Sequence, residues 1–184
     1  IKTQTGSHNL VIGPGHEWDS YGGVVSGYYN GIRAPYTASL MGKFNTADAE
    51  GSAIVAGESN GAHNYYSAVI GGYGDSASGL YSVAIGGESL SAEGTGALAA
   101  GGSGNAAIGD NSAALGGGSN QVTSAADRGV ALGGYQNSVQ GSLAVAVGGY
   151  SHTASGANSG VFGGYFGSST AYLSAVFGGG ENTA

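Results

Sequence analysis

The chain repeats itself with a period of 15, and that period limits its fold more than any other feature. Segments such as SAVIGG, SVAIGG, SAALGG, GVALGG, GVFGG and SAVFGG recur, each ending in glycine. Aligning on the last glycine places anchors at Gly27, Gly42, Gly57, Gly72, Gly87, Gly102, Gly117, Gly134, Gly149, Gly164 and Gly179. Every interval between them is the same except the one from Gly117 to Gly134, which is longer by two. HNLVIGP reads as a degenerate further unit with Pro14 at the anchor, its interval to Gly27 shortened by two. A period of 15 is too short for a strand-helix repeat, but fits two short strands and their turns. The expectation is therefore an all-β parallel β-solenoid of 11–12 turns. At the inter-strand spacing of about 4.8 Å it makes a rod roughly 55 Å long.

Composition agrees and excludes the alternatives. Gly supplies 40 of 184 residues, which no helix tolerates at this density, and its spacing does not follow the every-third pattern of collagen. There is no Cys, so neither disulfides nor thiolates hold the fold. Four scattered cations in a net charge of −7 argue against a nucleic-acid surface. Gly129 to Gly180 carries no Asp, Glu, Lys or Arg, yet polar residues interrupt it throughout, against a membrane helix. The opening IKTQTG has neither Met nor signal-peptide pattern and reads as a mature chain or an excised segment. The expected organisation is one repeat domain over 1–184. Residues 1–22 form a leader and a degenerate first turn, 23–184 the regular repeats, and a two-residue insertion lies within 118–133.

Two apolar columns flank each anchor. Two residues before it stand Val25, Leu40, Val55, Ile70, Ile85, Ala100, Leu115, Leu132, Val147, Phe162 and Phe177, read as the core. A strand sends alternate side chains to opposite faces, so the column three before the anchor takes the other face. It holds Val24, Ser39, Ile54, Val69, Ala84, Ala99, Ala114, Ala131, Ala146, Val161 and Val176. Strands apolar on both faces are covered on both. The second column is therefore expected to be the subunit interface of a homo-oligomer, with the polar Ser39 set aside.

Asn stands three residues after most anchors, with Asp75 in one unit, and reads as turn chemistry or a stacked amide ladder. GGYGDSASG resembles a calcium-binding Gly-Asp repeat, but the period is wrong and neighbouring turns lack the Asp. His16, Glu17 and Asp19 read as an N-terminal cap rather than a metal site. Gly102, Gly104 and Gly109 lack the strand-to-helix setting of a phosphate loop. The four His residues are scattered and assemble no nucleophile, base and orienting acid, and Thr forms no continuous ice-binding rank. No enzymatic activity, cofactor or metal is expected.

The column just after the anchor contains Tyr28, Tyr73, Tyr135, Tyr150 and Tyr165. Tyr offers large amphipathic contact at low entropy cost, and these five are the candidate ligand-binding residues. Tyr135, Tyr150 and Tyr165 occupy successive turns and are expected to form a ladder. The insertion in QVTSAADRG is expected to bulge outward, with Asp127 and Arg128 solvating it.

At YSVAIGGESLSAEG, NSAALGGGSN, GVALGGYQNSVQG and YSAVIGGYGDSASG the chain resembles the YadA-like head repeats of trimeric autotransporter adhesins. The resemblance spans eleven units. It implies a left-handed parallel β-roll, three chains side by side, and display on a bacterial outer surface. The implied partners are the chain itself and an extracellular matrix protein, glycan or cell-surface receptor. The chain departs from the family in its GG pair, in a repeat of 15 rather than nearer 14, and in lacking the family's stalk and barrel. A phage tail-fibre segment or a self-assembling extracellular filament is the alternative carrier.

Overall fold

A computed structural model describes residues 3–184. They form a parallel β-solenoid with two strands per turn, and no helix is present among them. One sheet runs from Gln4–Ser7 through Glu17–Tyr21 and Gly31–Ile32 to Ser168–Ser169. The other runs from Leu10–Ile12 through Val24–Ser26 and Ala38–Leu40 to Ala175–Phe177. Among the described residues each sheet has 12 strands in sequence order, every pair parallel, so each turn lies on the one before it. Register follows the repeat: Ala68 pairs with Val83, and across the insertion Ala113 pairs with Val130. The segment read as a leader contributes a strand, with Gln4 opposite Trp18.

The corners explain the glycines. The anchor residues have positive φ, 71° at Gly42 and at Gly117, and each lies against the next turn. A Cβ at Gly117 would stand 2.0 Å from the Gly134 carbonyl oxygen, so no side chain is admitted there. Two further corners hold bulky residues at positive φ. Tyr29 (53°) and Phe44 (56°) lie two after the anchor, and Tyr66 (55°) and Tyr81 (57°) six before it. Left-handed backbone in residues other than Gly costs on the order of 1 kcal/mol or more. Closure of each turn imposes it, and the backbone hydrogen bonds to the turns on either side hold it in place.

The interior reverses the expected assignment of the two apolar columns. Ile54, Val69, Ala84, Ala99, Ala114, Ala131, Ala146 and Val161 are fully buried within this one chain, and Val176 nearly so. They are the roll's own core and are closed to a subunit interface. The column read as core faces outward, with Ile70 46% and Phe177 76% exposed. At the N-terminal end the register shifts by one: Val25 pairs with Ser39 and is buried, while Val24 is only partly covered. The reason for the reversal is size. Two sheets joined by tight corners enclose a narrow slot, so the inward positions take small side chains and the large ones are left outside.

Within the slot, volume is traded between facing columns. Where the column three before the anchor carries Ile54, Val69 or Val161, the column five after the same anchor carries Ala62, Ala77 or Ser169. Where the first carries Ala114 or Ala131, the second carries Val122 or Val139. Around Ala84 and Ala99 both columns are Ala, and there Leu90 replaces the usual Asn and fills the space. Such matching is what close packing demands.

A charge in this slot has no partner. Ala131→Asp should abolish cooperative melting of the chain, because a buried unpaired carboxylate costs several kcal/mol. Circular dichroism reads the result, and a variant that keeps the wild-type melt would place Ala131 outside the core.

Candidate interaction surface

The outward sides of the two sheets differ in chemistry. On the first, outward positions are small and polar: Thr46, Ser76, Ser91, Ser138, Thr153 and Ser168. On the second, Ala53, Ala68, Val83, Leu98, Val130 and Val145 alternate with the exposed or half-exposed Val55, Ile70, Ile85, Leu115, Leu132 and Val147. Beyond Leu10–Ile12, only Ser26 and Gly160 interrupt this apolar strip. The rings of Phe162 and Phe177 stack on it, 4.9 Å apart at 8°. A dent at Gly160 is lined by Leu143, Val145, Phe162 and Leu173. At about 55 Å by 10 Å, the strip is at the upper end of what a monomer exposes.

Aromatic residues line the corners. Those just after the anchor are linked by isolated parallel bridges from Tyr28 through Lys43 and Glu58 to Gly180. Tyr135 and Tyr150 stack at 5.8 Å and 14°. The next step of the expected ladder is different: Tyr150 meets Phe166 edge-on at 5.4 Å, and Tyr165 meets Phe166 at 6.1 Å. Phe166 is thus part of this cluster, from the column one residue further on, and the sequence reading passed over it. Tyr28 closes on Tyr29 at 4.5 Å and on Phe44 at 6.1 Å. Tyr73 is exposed between the Glu58 and Glu88 positions, and Lys43 pairs with Glu58 at 3.0 Å. The corner six before the anchor was also passed over. There Tyr66 stacks on Tyr81 at 5.6 Å and Tyr21 meets Tyr36 at 6.0 Å. Aligning that column in the sequence reveals it.

Residues singled out for chemistry separate in the fold. His16, Glu17 and Asp19 do not converge: Glu17 pairs with Arg33 at 3.0 Å, and Asp19 accepts from Thr5 Oγ1 at 2.7 Å. His16 is buried, and its Nδ1 accepts from the Asn30 amide at 3.1 Å. It begins an interior ladder in which each side chain accepts the backbone N–H of its counterpart one turn on. Asn30 Oδ1 accepts from Asn45, Asn45 from Asn60, Asn60 from Asp75 and Asp75 from Leu90, at 2.8 to 3.0 Å. After a break at Leu90 it resumes from Asn105 through Asn120 and Asn137 to His152, whose Nδ1 accepts from Gly167 at 3.0 Å. Asp75 is inside this ladder. Among the described residues no cluster of His, Cys, Asp or Glu could hold a metal ion. The inserted residues turn at Ser124 and Ala125, while Asp127 and Arg128 keep the stacked corner, the Arg128 amide donating to Asp110.

No family model matches the chain, and a search of curated proteins finds no match either.

His152 is neutral in this ladder, since Nδ1 must be free to accept. Burial lowers its pKa from the usual 6.5. A depressed folded pKa gives stability that is present above 6.5 and lost as pH falls through the folded value. His152→Asn should therefore melt like wild type at pH 8 and hold its melting temperature better near pH 5. Equal acid-side losses in the two proteins would refute this.

Proposed function

We propose that the chain is a non-catalytic head or shaft segment of a homotrimeric surface adhesin, displayed outside a bacterial cell. The apolar outward strip of the second sheet carries this reading. A face of Ala, Val, Ile, Leu and Phe over 12 strands is costly in water, at about 25 cal/mol per Å² of apolar surface. A second copy of the same strip is its natural cover, because parallel rolls set side by side meet at equal height and bury like against like. With the flanking corners the strip nears the roughly 800 Å² per partner of a standard interface. The number three rests on the resemblance to YadA-like heads. The interface is thus carried by the column that includes Ile70, Ile85 and Leu132, in place of the buried one.

Aromatic corner rows supply the adhesive part of the reading. Tyr135, Tyr150, Tyr165 and Phe166 are exposed and held by a rigid backbone in a stretch without charge, with Glu181 one turn beyond them. Such anchors dominate contact energy in interfaces. Matrix protein, glycan or cell-surface receptor is the class of partner.

Sedimentation separates this assembly from the fold. Ile70→Glu with Ile85→Glu should give a folded monomer with wild-type circular dichroism, since both side chains lie outside the core. A wild-type chain that is monomeric at micromolar concentration overturns the proposal.

Adhesion is tested apart from assembly. Replacing Tyr135, Tyr150 and Tyr165 by Ser should lower binding to matrix-coated or glycan-coated surfaces at least tenfold while the oligomer persists. Unchanged binding would move the adhesive surface elsewhere, and loss of the oligomer would assign these tyrosines to the subunit contact.

A further inference from the structure

The interior ladder has one defect, and the backbone responds to it. In most turns the carbonyl just before the anchor accepts from a ladder amide, that of its own turn, as at Gly133, or that of the turn before, as at Gly148, and at Gly116 from both. Gly116 accepts from Asn120 at 3.1 Å and from Asn105 at 3.0 Å. Gly101 keeps a donor in Asn105, and Gly71 keeps one in Asn60. Even where Gly167 breaks the column, His152 turns Nε2 toward the Gly163 carbonyl, though outside hydrogen-bond geometry. Among the described residues Gly86 is the one corner carbonyl of this set toward which no ladder side chain turns a donor. Its own turn supplies Leu90, and the turn before supplies the carboxylate of Asp75.

At that place the corner changes shape. Elsewhere the two corner glycines have similar φ, 66° and 75° at Gly101 and Gly102 and 67° and 71° at Gly116 and Gly117. At Gly86 and Gly87 they are 47° and 150°, the second open only to glycine. The Gly86 carbonyl has rotated away from the ladder and accepts from the Gly101 amide at 2.8 Å, which also donates to Ile85 at 2.9 Å. Among the described residues no other corner amide makes this double contact. Meanwhile Asp75 Oδ2 is buried without a hydrogen-bond partner. A Cβ built on Gly72 would stand 2.0 Å from Asp75 Oδ2, and one built on Gly57 2.3 Å from Asn60 Nδ2, so Oδ2 occupies the place of the amide nitrogen.

We propose that Asp75 and the Gly86–Gly87 peptide form a proton-gated backbone flip. With Asp75 ionised, the Gly86 carbonyl is repelled and turns out to Gly101. With Oδ2 protonated, the O–H stands in for the amide donor, and the carbonyl returns to the geometry of its neighbours. Leu90 makes this possible by withholding the second donor. The flip reshapes the corner between Tyr73 and Glu88, so the outer surface there differs between acid and neutral conditions.

The surroundings leave Asp75 as the group that titrates. Inside the roll Asp75 is bonded to Asn60 and Leu90, and the other buried ionisable side chains among the described residues, His16 and His152, lie four and five turns away along the ladder. Outside the same corner Glu58 is paired with Lys43, and Glu88 and Tyr73 are exposed. His63, on the outer face of the polar sheet, is bonded to Asp48. Burial raises the Asp75 pKa above the usual 3.8, against a smaller opposing effect of the Leu90 amide. A raised folded pKa gives stability that is complete below 3.8 and lost as pH rises through the folded value. The ionised form is therefore the less stable one.

The test follows the backbone resonances of Gly86, Gly87 and Gly101 in the labelled full chain from pH 3 to pH 8. In wild type they should move together in one titration. In Asp75→Asn, which restores the residue found in neighbouring turns, they should stay at their acid positions throughout. That variant should also melt about 2–4 °C higher at pH 7, the shift of a modest stabilisation in a chain of this size. Resonances of the three glycines that do not titrate in wild type would overturn the proposal. So would an Asp75→Asn protein that titrates as wild type does, or that gains no thermal stability at pH 7.

Discussion

Parallel hydrogen bonding from each turn to the next is the interaction on which the structure rests. It makes the chain a stack, in which each residue lies about 4.8 Å above its counterpart. The anchor glycines are needed because the next turn's carbonyl occupies the space where a Cβ would stand. The left-handed corners are needed because a closed turn of this length has no other way round. The narrow slot follows from both, and with it a core made of Ala, Val and a few Ile and Leu side chains.

So thin a core buries little apolar surface per residue, and the interior ladder supplies what is missing. Each Asn from Asn30 to Asn60 and from Asn105 to Asn137 accepts one backbone N–H and donates to corner carbonyls, so the ladder amides are matched without water. Neutral His with its proton on Nε2 has the same pattern, an acceptor at Nδ1 and a donor beyond it. This accounts for His16 and His152 in a column otherwise of Asn. Protonated Asp has the pattern too, whereas ionised Asp does not. The ladder thus tolerates three residue types, and two of them make its strength depend on pH in opposite directions.

The stack was legible in the sequence because period, anchor glycines and the Asn column all follow from register. Which apolar column faces inward was not. Hydropathy could not decide between Ile70 and Val69, or between Leu132 and Ala131, since both columns are apolar throughout. The signal lay in size, read contrary to the habit of placing the largest side chains in the core. The off-by-one shift at Val25 was hidden as well, because the early turns are shorter by one and their strands pair accordingly, as Gly31 does with Glu17. Alternation sends His16 into the slot and both Glu17 and Asp19 outward, which separates the imidazole from the two carboxylates although they are neighbours in sequence.

Reversing the two columns strengthens the case for association. Had the Ala-rich column faced out, the free surface would have been small side chains that water tolerates. With the slot filled by Ala and Val, the largest apolar side chains, Ile, Leu and Phe, are left outside together with Val and Ala, on one sheet and not on the other. The outward Ser and Thr of the first sheet show that the repeat can present a hydrated face. Its failure to do so on the second sheet is a property of that face, and one cover serves all twelve strands. A neighbour that fits must share the rise of about 4.8 Å along the full length, and a second copy of this chain does so without any further adjustment of sequence.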